Sequence, residues 1–163
     1  MVKDLSAKIA KIKLVATDID GVWTDAKMYY TKDGDYMKAF STYDGMGANE
    51  LMKANYTVMI MTSEDTEIVK KRAEKLCIEL VFQGGGEKLD KLQKVCDEMD
   101  ITLDHVAYIG DDLNDLNVLK NVGLSAMPPN SPILDKFTPD FITTRSGGYG
   151  AFRDLADLIL SQK

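Results

Sequence analysis

A short apolar run ends in two aspartates, and this junction restricts both the fold and the chemistry of the chain. Residues 12–16 are mostly apolar and predict a buried strand, which is followed by Asp18, Asp20 and Gly21. Alternate residues of a strand point to opposite faces, so the two carboxylates can reach one ligand only if the chain turns after Asp18, and glycine permits such a turn. Carboxylate oxygens suit Mg²⁺. The alternative interpretation is an Asp-rich turn that only caps the strand.

Strand candidates alternate with helix candidates along most of the chain. Six apolar runs, from 12–16 to 141–143, have the composition of buried strands, and the segments between most of them have helical periodicity. This order predicts an α/β fold, with a doubly wound, mostly parallel, Rossmann-like sheet covered by helices on both faces. A length of 163 residues predicts one domain over residues 1–163.

A β-hairpin is predicted within residues 27–40. Two aromatic-rich runs, 27–31 and 36–40, flank a turn that contains Asp33-Gly34. The hairpin would carry apolar side chains on both faces, namely Met28, Tyr29, Tyr30, Tyr36 and Phe40. A two-stranded hairpin is marginally stable alone, so this surplus of apolar surface predicts a protein partner.

Composition and charge limit the other partners. A net charge of -6 argues against binding to nucleic acid or to an anionic membrane surface. No apolar run approaches the ~20 residues of a membrane span, and residues 1–13 have no signal-peptide pattern. A phosphorylated small molecule remains compatible, because a metal and a few cations can hold it locally. We therefore expect a cytoplasmic protein without a nucleic-acid or membrane partner.

Four predicted strands end in residues that can do chemistry. In chain order these are Asp18 with Asp20, Thr62 with Ser63, the triple glycine at 84–86 with Lys88, and Asp111 with Asp112. Each group has an ordinary alternative: a helix cap, a solvated lysine or a turn. In a parallel sheet, however, the carboxyl ends of the strands share one edge. Together the groups would supply a nucleophile, an acid, a hydroxyl, a cation and a metal-binding pair.

In this order the four groups resemble the motifs of the haloacid dehalogenase superfamily of phosphatases, across nearly the whole chain. The resemblance implies that Asp18 is the nucleophile and Asp20 the general acid and base, with Lys88 as the third catalytic residue. A carboxylate can attack phosphorus where a cation screens the repulsion, and the aspartyl phosphate divides one difficult step into two. Asp20 can protonate the departing alkoxide and later deprotonate water.

The resemblance also implies the binding roles. Mg²⁺ would be held by Asp18, Asp20 and Asp111. Phosphate would be held by Thr62, Ser63 and Lys88. The residues expected to orient the water molecules of the metal are Asp112, Asn114 and Asp115. Ser63 is a departure, because the family usually has glycine at that position.

The short segments between the motifs leave no room for a separate cap domain. The chain therefore resembles the capless sugar-acid phosphatases, in which the hairpins of four subunits form a central barrel. This implies a homotetramer built through the hairpin 27–40. In that family, residues of a neighbouring subunit complete the site. The glycine-rich segment 147–150, which Arg153 follows, resembles the C-terminal glycine-rich tail of the family with its arginine, which implies that Arg153 binds substrate.

Two substrates are compatible with the resemblance. The preferred prediction is a nine-carbon ulosonate, 2-keto-3-deoxy-nononate 9-phosphate or N-acylneuraminate 9-phosphate, because Glu64 stands where the eight-carbon branch typically has arginine. Arg72 and Lys75 would then bind the far end of the substrate, although a solvated helix face explains them equally well. The alternative substrate is 3-deoxy-manno-octulosonate 8-phosphate.

Two further classes of function compete with a phosphatase. A phosphoacceptor receiver domain also uses Asp, Thr, Lys and Mg²⁺, but its phosphorylated Asp lies on a later strand than its acidic pair. Here the Asp-x-Asp pair comes first and the second acidic cluster follows Lys88, which disfavours a receiver. A non-catalytic partner of a cytidylyltransferase is disfavoured because every catalytic residue is present.

Overall fold

The computed structural model of the chain describes residues 5–162. Residues 1–4 and 163 lie outside the described residues. The predictions for the whole domain 1–163 and for the N-terminal segment 1–13 therefore fall partly on residues that are not described. The strands are β1 (Leu14–Thr17), β2 (Tyr29–Thr31), β3 (Gly34–Met37), β4 (Thr57–Met61), β5 (Leu80–Phe82), β6 (Val106–Ile109), β7 (Leu124–Met127) and β8 (Phe141–Ile142). The α-helices are α1 (Ser6–Ile9), α2 (Thr42–Lys53), α3 (Glu67–Leu76), α4 (Lys88–Glu98), α5 (Leu116–Asn121) and α6 (Ala151–Leu160).

Six strands form one parallel sheet in the order β5-β4-β1-β6-β7-β8. All four residues of the central strand β1 are buried, as its apolar sequence predicts. The parallel arrangement brings the carboxyl ends of β1, β4, β5 and β6 to the same edge. The predicted α/β architecture, with a hairpin insert and no cap domain, is confirmed.

Each face of the sheet is covered by its own hydrophobic cluster. Val15 of β1 packs into a cluster with residues of α2, α3 and α6, whereas its neighbours Leu14 and Ala16 pack into a second cluster with α4 and α5. Alternation along the strand produces this division. Trp23 is fully buried in the first cluster, where its indole Nε1 donates to Thr17 Oγ1 at 3.1 Å. The loop after β1 is therefore anchored to the core.

Helix α2 begins earlier than the sequence suggests. We expected residues 41–45 to precede a helix starting at Met46, but α2 starts at Thr42. The Ser41 side chain caps it by accepting a hydrogen bond from the backbone N–H of Tyr43 at 3.2 Å. A short helix expected near Ile133 is also wrong, because the structure has only turns there.

The hairpin forms a separate two-stranded sheet, β2 with β3, as expected. Tyr30 and Tyr36 are 61% and 70% exposed. Phe40 differs from the prediction, since it lies past β3 and packs against the core instead of extending the apolar surface of the hairpin. Among residues 5–162, no helix has the length and apolar character needed to cross a bilayer.

A buried carboxylate joins α2 to α6. Asp44 is fully buried, and its Oδ1 accepts a hydrogen bond from the backbone N–H of Arg153 at 2.9 Å. This N–H belongs to the first turn of α6, whose own N-cap, Gly150, has no side-chain cap. Burial raises the pKa of Asp44 to about 7, although the backbone hydrogen bonds and Arg72 lower it. Asp44 thus caps a helix that follows it by more than 100 residues.

This geometry predicts a pH-dependent stability. The pKa of Asp44 is higher in the folded chain than its usual 3.8, so the folded state binds more protons and loses stability as the pH rises from about 4 to 7. Between pH 4.5 and 7.5, urea unfolding should show a loss that is about 3 kcal/mol larger in the wild type than in Asp44→Asn. The control is Asp33→Asn, whose carboxylate is 78% exposed and which should follow the wild type. Parallel curves for wild type and Asp44→Asn would contradict the assignment.

Candidate active site

A cleft of about 220 Å³ opens at the carboxyl edge of the sheet. Its lining consists of Ala26 and of predicted site residues from three separate segments. Those predicted residues are Asp18, Asp20, Thr62, Ser63, Glu64, Asp111, Asp112 and Asn114. Lys88 and Asp115 are not part of the lining, but Lys88 forms ion pairs with Asp115 and with Asp18, which is part of it. The strand ends therefore bring together the residues that the motif order predicted to meet.

Asp18 lies at the point where the chain leaves β1. Its backbone N–H continues the ladder to Ile109, and its Oδ1 accepts a hydrogen bond from the N–H of Ile19 at 2.7 Å. The carbonyl of Ile19 then accepts from the N–H groups of three later residues, Val22, Trp23 and Thr24. The chain thus turns directly after Asp18, as the spacing of the aspartates predicted, and holds the Asp18 carboxylate at the base of the cleft.

Lys88 is buried between two carboxylates. Its Nζ lies 2.9 Å from Asp18 Oδ2 and 2.7 Å from Asp115 Oδ1, and its side chain is only 5% exposed. Burial lowers the pKa of Lys88, but Asp18 and Asp115 more than offset this, and the pKa lies above its usual value. Lys88 is therefore a fixed cation that faces the Asp18 carboxylate.

Tyr108, which was not among the predicted site residues, completes this network. Its hydroxyl donates to Asp115 Oδ1 at 2.6 Å, and the ring is fully buried in β6. The other oxygen, Asp115 Oδ2, accepts from the backbone N–H groups of Asp111 and Asp112. Both oxygens of Asp115 are therefore occupied, which makes it a rigid support for Lys88 and for the start of the acidic loop.

Three clustered carboxylates have the chemistry of a site for a divalent cation. Oxygens of Asp18, Asp111 and Asp115 lie within 4.8 Å of one another. Burial and then the charge of Asp115 raise the pKa of Asp18 well above its usual value, and the same two causes raise that of Asp111 to about 7. Like charges at this separation destabilise the ionised forms unless a cation compensates them. Asp18 and Asp111 line the cleft whereas Asp115 does not, so Asp18 and Asp111 are the carboxylates placed to bind one.

Two glycines allow the close packing around this cluster. Gly21 has φ +89, and a Cβ at this position would lie 1.8 Å from Asp111 Oδ2. Gly147 packs equally closely against Gly21, because a Cβ on Gly147 would lie 1.9 Å from the Gly21 carbonyl oxygen. The glycine-rich segment thus packs against the loop that carries Asp20, an intramolecular contact that the sequence analysis did not anticipate.

The second motif occupies the opposite wall of the cleft. Thr62 is buried, and its Oγ1 accepts from the N–H of Glu64 at 3.3 Å. Ser63 is exposed, and its Oγ accepts a hydrogen bond from Asn114 Nδ2 at 3.1 Å. We expected Glu64 to begin the following helix, but α3 starts at Glu67, after the Thr66 cap. Glu64 therefore lies in the loop, on the cleft surface.

Three predicted substrate-binding residues lie away from the cleft lining. Arg72 Nη2 donates to the Ser41 carbonyl at 3.3 Å, and its guanidinium carbon lies 5.7 Å from the centre of the Phe40 ring. Lys75 is exposed in the last turn of α3. Arg153 pairs with Asp157 along α6 at 2.6 Å. Within one subunit, these side chains are engaged with the scaffold or with solvent, and their substrate roles remain predictions.

Sequence comparison identifies the family. Residues 22–144 match the model of the haloacid dehalogenase-like hydrolases. The 3-deoxy-D-manno-octulosonate 8-phosphate phosphatase of Haemophilus influenzae is 36% identical over 156 residues, which cover 96% of this chain and 87% of that protein. The enzyme of the same name from Escherichia coli K12 is 34% identical over 157 residues, or 96% of this chain and 84% of the relative.

Solved structures agree with the sequence relatives. The Moraxella catarrhalis 3-deoxy-D-manno-octulosonate 8-phosphate phosphatase, crystallised with magnesium, phosphate and the sugar acid, superposes with a TM-score of 0.94 at 35% identity. The superposition covers 100% of this chain and 94% of that one. These comparisons confirm the predictions of family, fold and phosphatase activity. The chain belongs to the haloacid dehalogenase-like hydrolases.

Proposed function

We propose that this phosphatase hydrolyses 3-deoxy-D-manno-octulosonate 8-phosphate with Mg²⁺, through a phosphorylated Asp18. The observation that carries the proposal is the Asp18 carboxylate held 2.9 Å from the buried cation Lys88 at the base of an open cleft. The names of the relatives support the eight-carbon substrate, which was the alternative in the sequence analysis, better than the nine-carbon substrate that was preferred there. The magnesium bound to the Moraxella relative supports the cofactor.

The first half-reaction would be attack by Asp18 on phosphorus. The Asp18 Oδ–P bond forms as the bond from phosphorus to the sugar oxygen breaks, and Asp20 gives that oxygen a proton. Lys88 and Thr62 would hold the phosphoryl oxygens, with Ser63 beside them, so that charge developing in the transition state meets fixed donors. In the second half, Asp20 takes a proton from water as the water oxygen bonds to phosphorus and Asp18 is released.

The metal would be held by the carboxylates of Asp18 and Asp111 and by the Asp20 carbonyl. When bound, Mg²⁺ neutralises charge on the carboxylates and on the phosphoryl group. Asp115 fixes the backbone of Asp111, and we propose that it keeps that ligand in place. The structure gives the other two acidic-loop residues local partners: Asp112 accepts from the N–H of Leu113, and Asn114 donates to Ser63. From these positions they would orient water around the metal.

Glu64 favours a second candidate substrate. It lies on the cleft surface, where a carboxylate can accept hydrogen bonds from sugar hydroxyls and repels a nearby substrate carboxylate. A longer nine-carbon ulosonate 9-phosphate would place its own carboxylate farther from this position. The nine-carbon substrate, with Arg72, Lys75 or Arg153 at its far end, therefore remains the second proposal.

Parallel assays on the two phosphorylated sugar acids test the choice. We expect Mg²⁺-dependent phosphate release with a higher kcat/KM for the octulosonate than for the nononate. EDTA should abolish this release, and Asp18→Asn should release phosphate at least about 10³-fold more slowly than the wild type. Glu64→Arg should raise the octulosonate-to-nononate ratio of kcat/KM, whereas Glu67→Arg, the same charge change on the exposed first turn of α3, should not. A higher value for the nononate would favour the second candidate, and hydrolysis of neither would overturn the proposal.

We also propose that the chain assembles as a homotetramer through the hairpin. Large apolar side chains are exposed along it, among them Met28 at 44%, Tyr29 at 39% and Met37 at 45%. A surface of this kind is typical of a protein interface. An assembly would also allow Arg153 or the segment 147–150 to approach the site of a neighbouring subunit, as the family resemblance implies.

Light scattering at micromolar concentration measures the assembly. The expected mass is about four times the 18.1 kDa of the chain. The double variant Tyr30→Glu with Tyr36→Glu should give smaller species, because charges would enter the interface. Ile142→Glu introduces the same charge at an apolar side chain that is 46% exposed in β8, and should leave the mass unchanged. A monomeric wild type would contradict the proposal.

Two further proposals concern the extent of the domain and its location in the cell. We propose that residues 1–163 form a single phosphatase domain, which the continuous sheet and the clusters on its two faces support. We propose a cytoplasmic location, which the free thiols of Cys77 and Cys96 support because a reducing compartment keeps thiols unpaired.

A further inference from the structure

Lys38, which no motif contains, reaches the active site from the hairpin. It follows β3 directly, and its side chain is 0% exposed. Its Nζ donates to Asp20 Oδ1 at 2.7 Å and lies 3.6 Å from a carboxylate oxygen of Asp35. Burial of an ammonium group is costly unless it is paired. The pairing thus fixes a lysine of the hairpin against the aspartate that is proposed to move the proton.

The two oxygens of Asp20 have different surroundings. Oδ1 is held by Lys38, whereas Oδ2 is buried and has no hydrogen-bond partner among the described residues. The Asp20 side chain is 24% exposed and lines the cleft. Lys38 therefore anchors the carboxylate through Oδ1, and the Asp20 side chain as a whole lines the cleft, where its carboxyl group can meet a ligand.

We propose that Lys38 is a positioning residue that holds the Asp20 carboxyl group in the orientation in which it exchanges a proton with the leaving group and with water. The inference rests on the proposed function. In the first half-reaction, the O–H bond of the Asp20 carboxyl group breaks as the leaving oxygen gains the proton and its bond to phosphorus is cut. In the second, the Asp20 carboxylate regains a proton from the attacking water. Lys38 keeps its own protons throughout and acts only through the orientation of Asp20.

The leaving group provides a test that separates positioning from structure. Nitrophenolate is a weak base and departs without a proton, whereas a sugar alkoxide requires one. In Lys38→Met, kcat/KM for the sugar phosphate should fall by about 100-fold, while that for p-nitrophenyl phosphate should stay within about threefold of wild type. Lys38→Arg should restore most of the sugar phosphate activity, because it retains a cation that can donate to Oδ1.

Lys32→Met is the matched control, because Lys32 lies at the hairpin tip with a side chain that is 89% exposed. It should leave both substrates at wild-type values. Thermal melting shows whether Lys38→Met folds. If it does not, Lys38→Gln replaces it, and the ratio of kcat/KM for the sugar phosphate to kcat/KM for p-nitrophenyl phosphate must fall below the wild-type ratio. In an Asp20→Asn background, Lys38→Met should cost nothing further on the sugar phosphate.

Two results would overturn the inference while leaving the proposed function intact. One is an equal loss on both substrates in a folded Lys38 variant, which is the signature of a general structural defect. The other is a wild-type ratio of kcat/KM in that variant. Failure of the proposed function looks different, because the wild type itself would then release no phosphate from either sugar acid.

Discussion

The ion pairs of Lys88 with Asp18 and Asp115 determine how the rest of the site is built. An ammonium group that is 5% exposed requires carboxylate partners, and its partners come from the end of β1 and from the loop after β6. The lysine itself begins α4. One buried cation therefore ties three segments together at the edge of the sheet. Replacing it by an apolar residue would leave two buried carboxylates facing each other.

This network also holds the start of the acidic loop, residues 111–115, in place. Asp115 uses one oxygen for Lys88 and Tyr108 and the other for two backbone N–H groups. The start of the loop is thereby fixed, and Asp111 faces Asp18 at metal-binding distance. The close approach of Gly21 to Asp111 leaves the cluster little space to relax. Such a preorganised arrangement favours charge stabilisation without rearrangement during the reaction.

The sequence predicted the fold and the cleft because both follow from local patterns. Apolar strands alternate with amphipathic helices, and the motif residues follow the strands, so a parallel sheet places them on one edge. The start of α2 differs from the prediction because a serine before a helix has the same sequence signal whether it caps the helix or belongs to a loop. The helix after Thr62 was expected to begin at Glu64, but it begins at Glu67 because Thr66, two residues after Glu64, is its cap.

Other contacts depend on pairing between distant residues and had no signal in one sequence. Lys38 pairs with Asp20 across 18 positions, and Asp44 with the N-terminus of α6 across 109. Tyr108 looked like one apolar residue of a buried strand, although its hydroxyl reaches Asp115. Each of these is a polar group whose burial is tolerated only because of a partner brought by the tertiary fold. The periodicity of the sequence reveals the burial but not the partner.

The central claim is that Asp18 becomes phosphorylated, and chemical trapping tests it most directly. Borohydride reduces an aspartyl phosphate to homoserine, which mass spectrometry can assign to a position. In a single turnover with the sugar phosphate and Mg²⁺, quenched with borohydride, we expect substrate-dependent conversion of Asp18 alone and none in Asp18→Asn. Conversion of Asp111 or Asp20, or none at any carboxylate in an enzyme that turns over, would contradict the account.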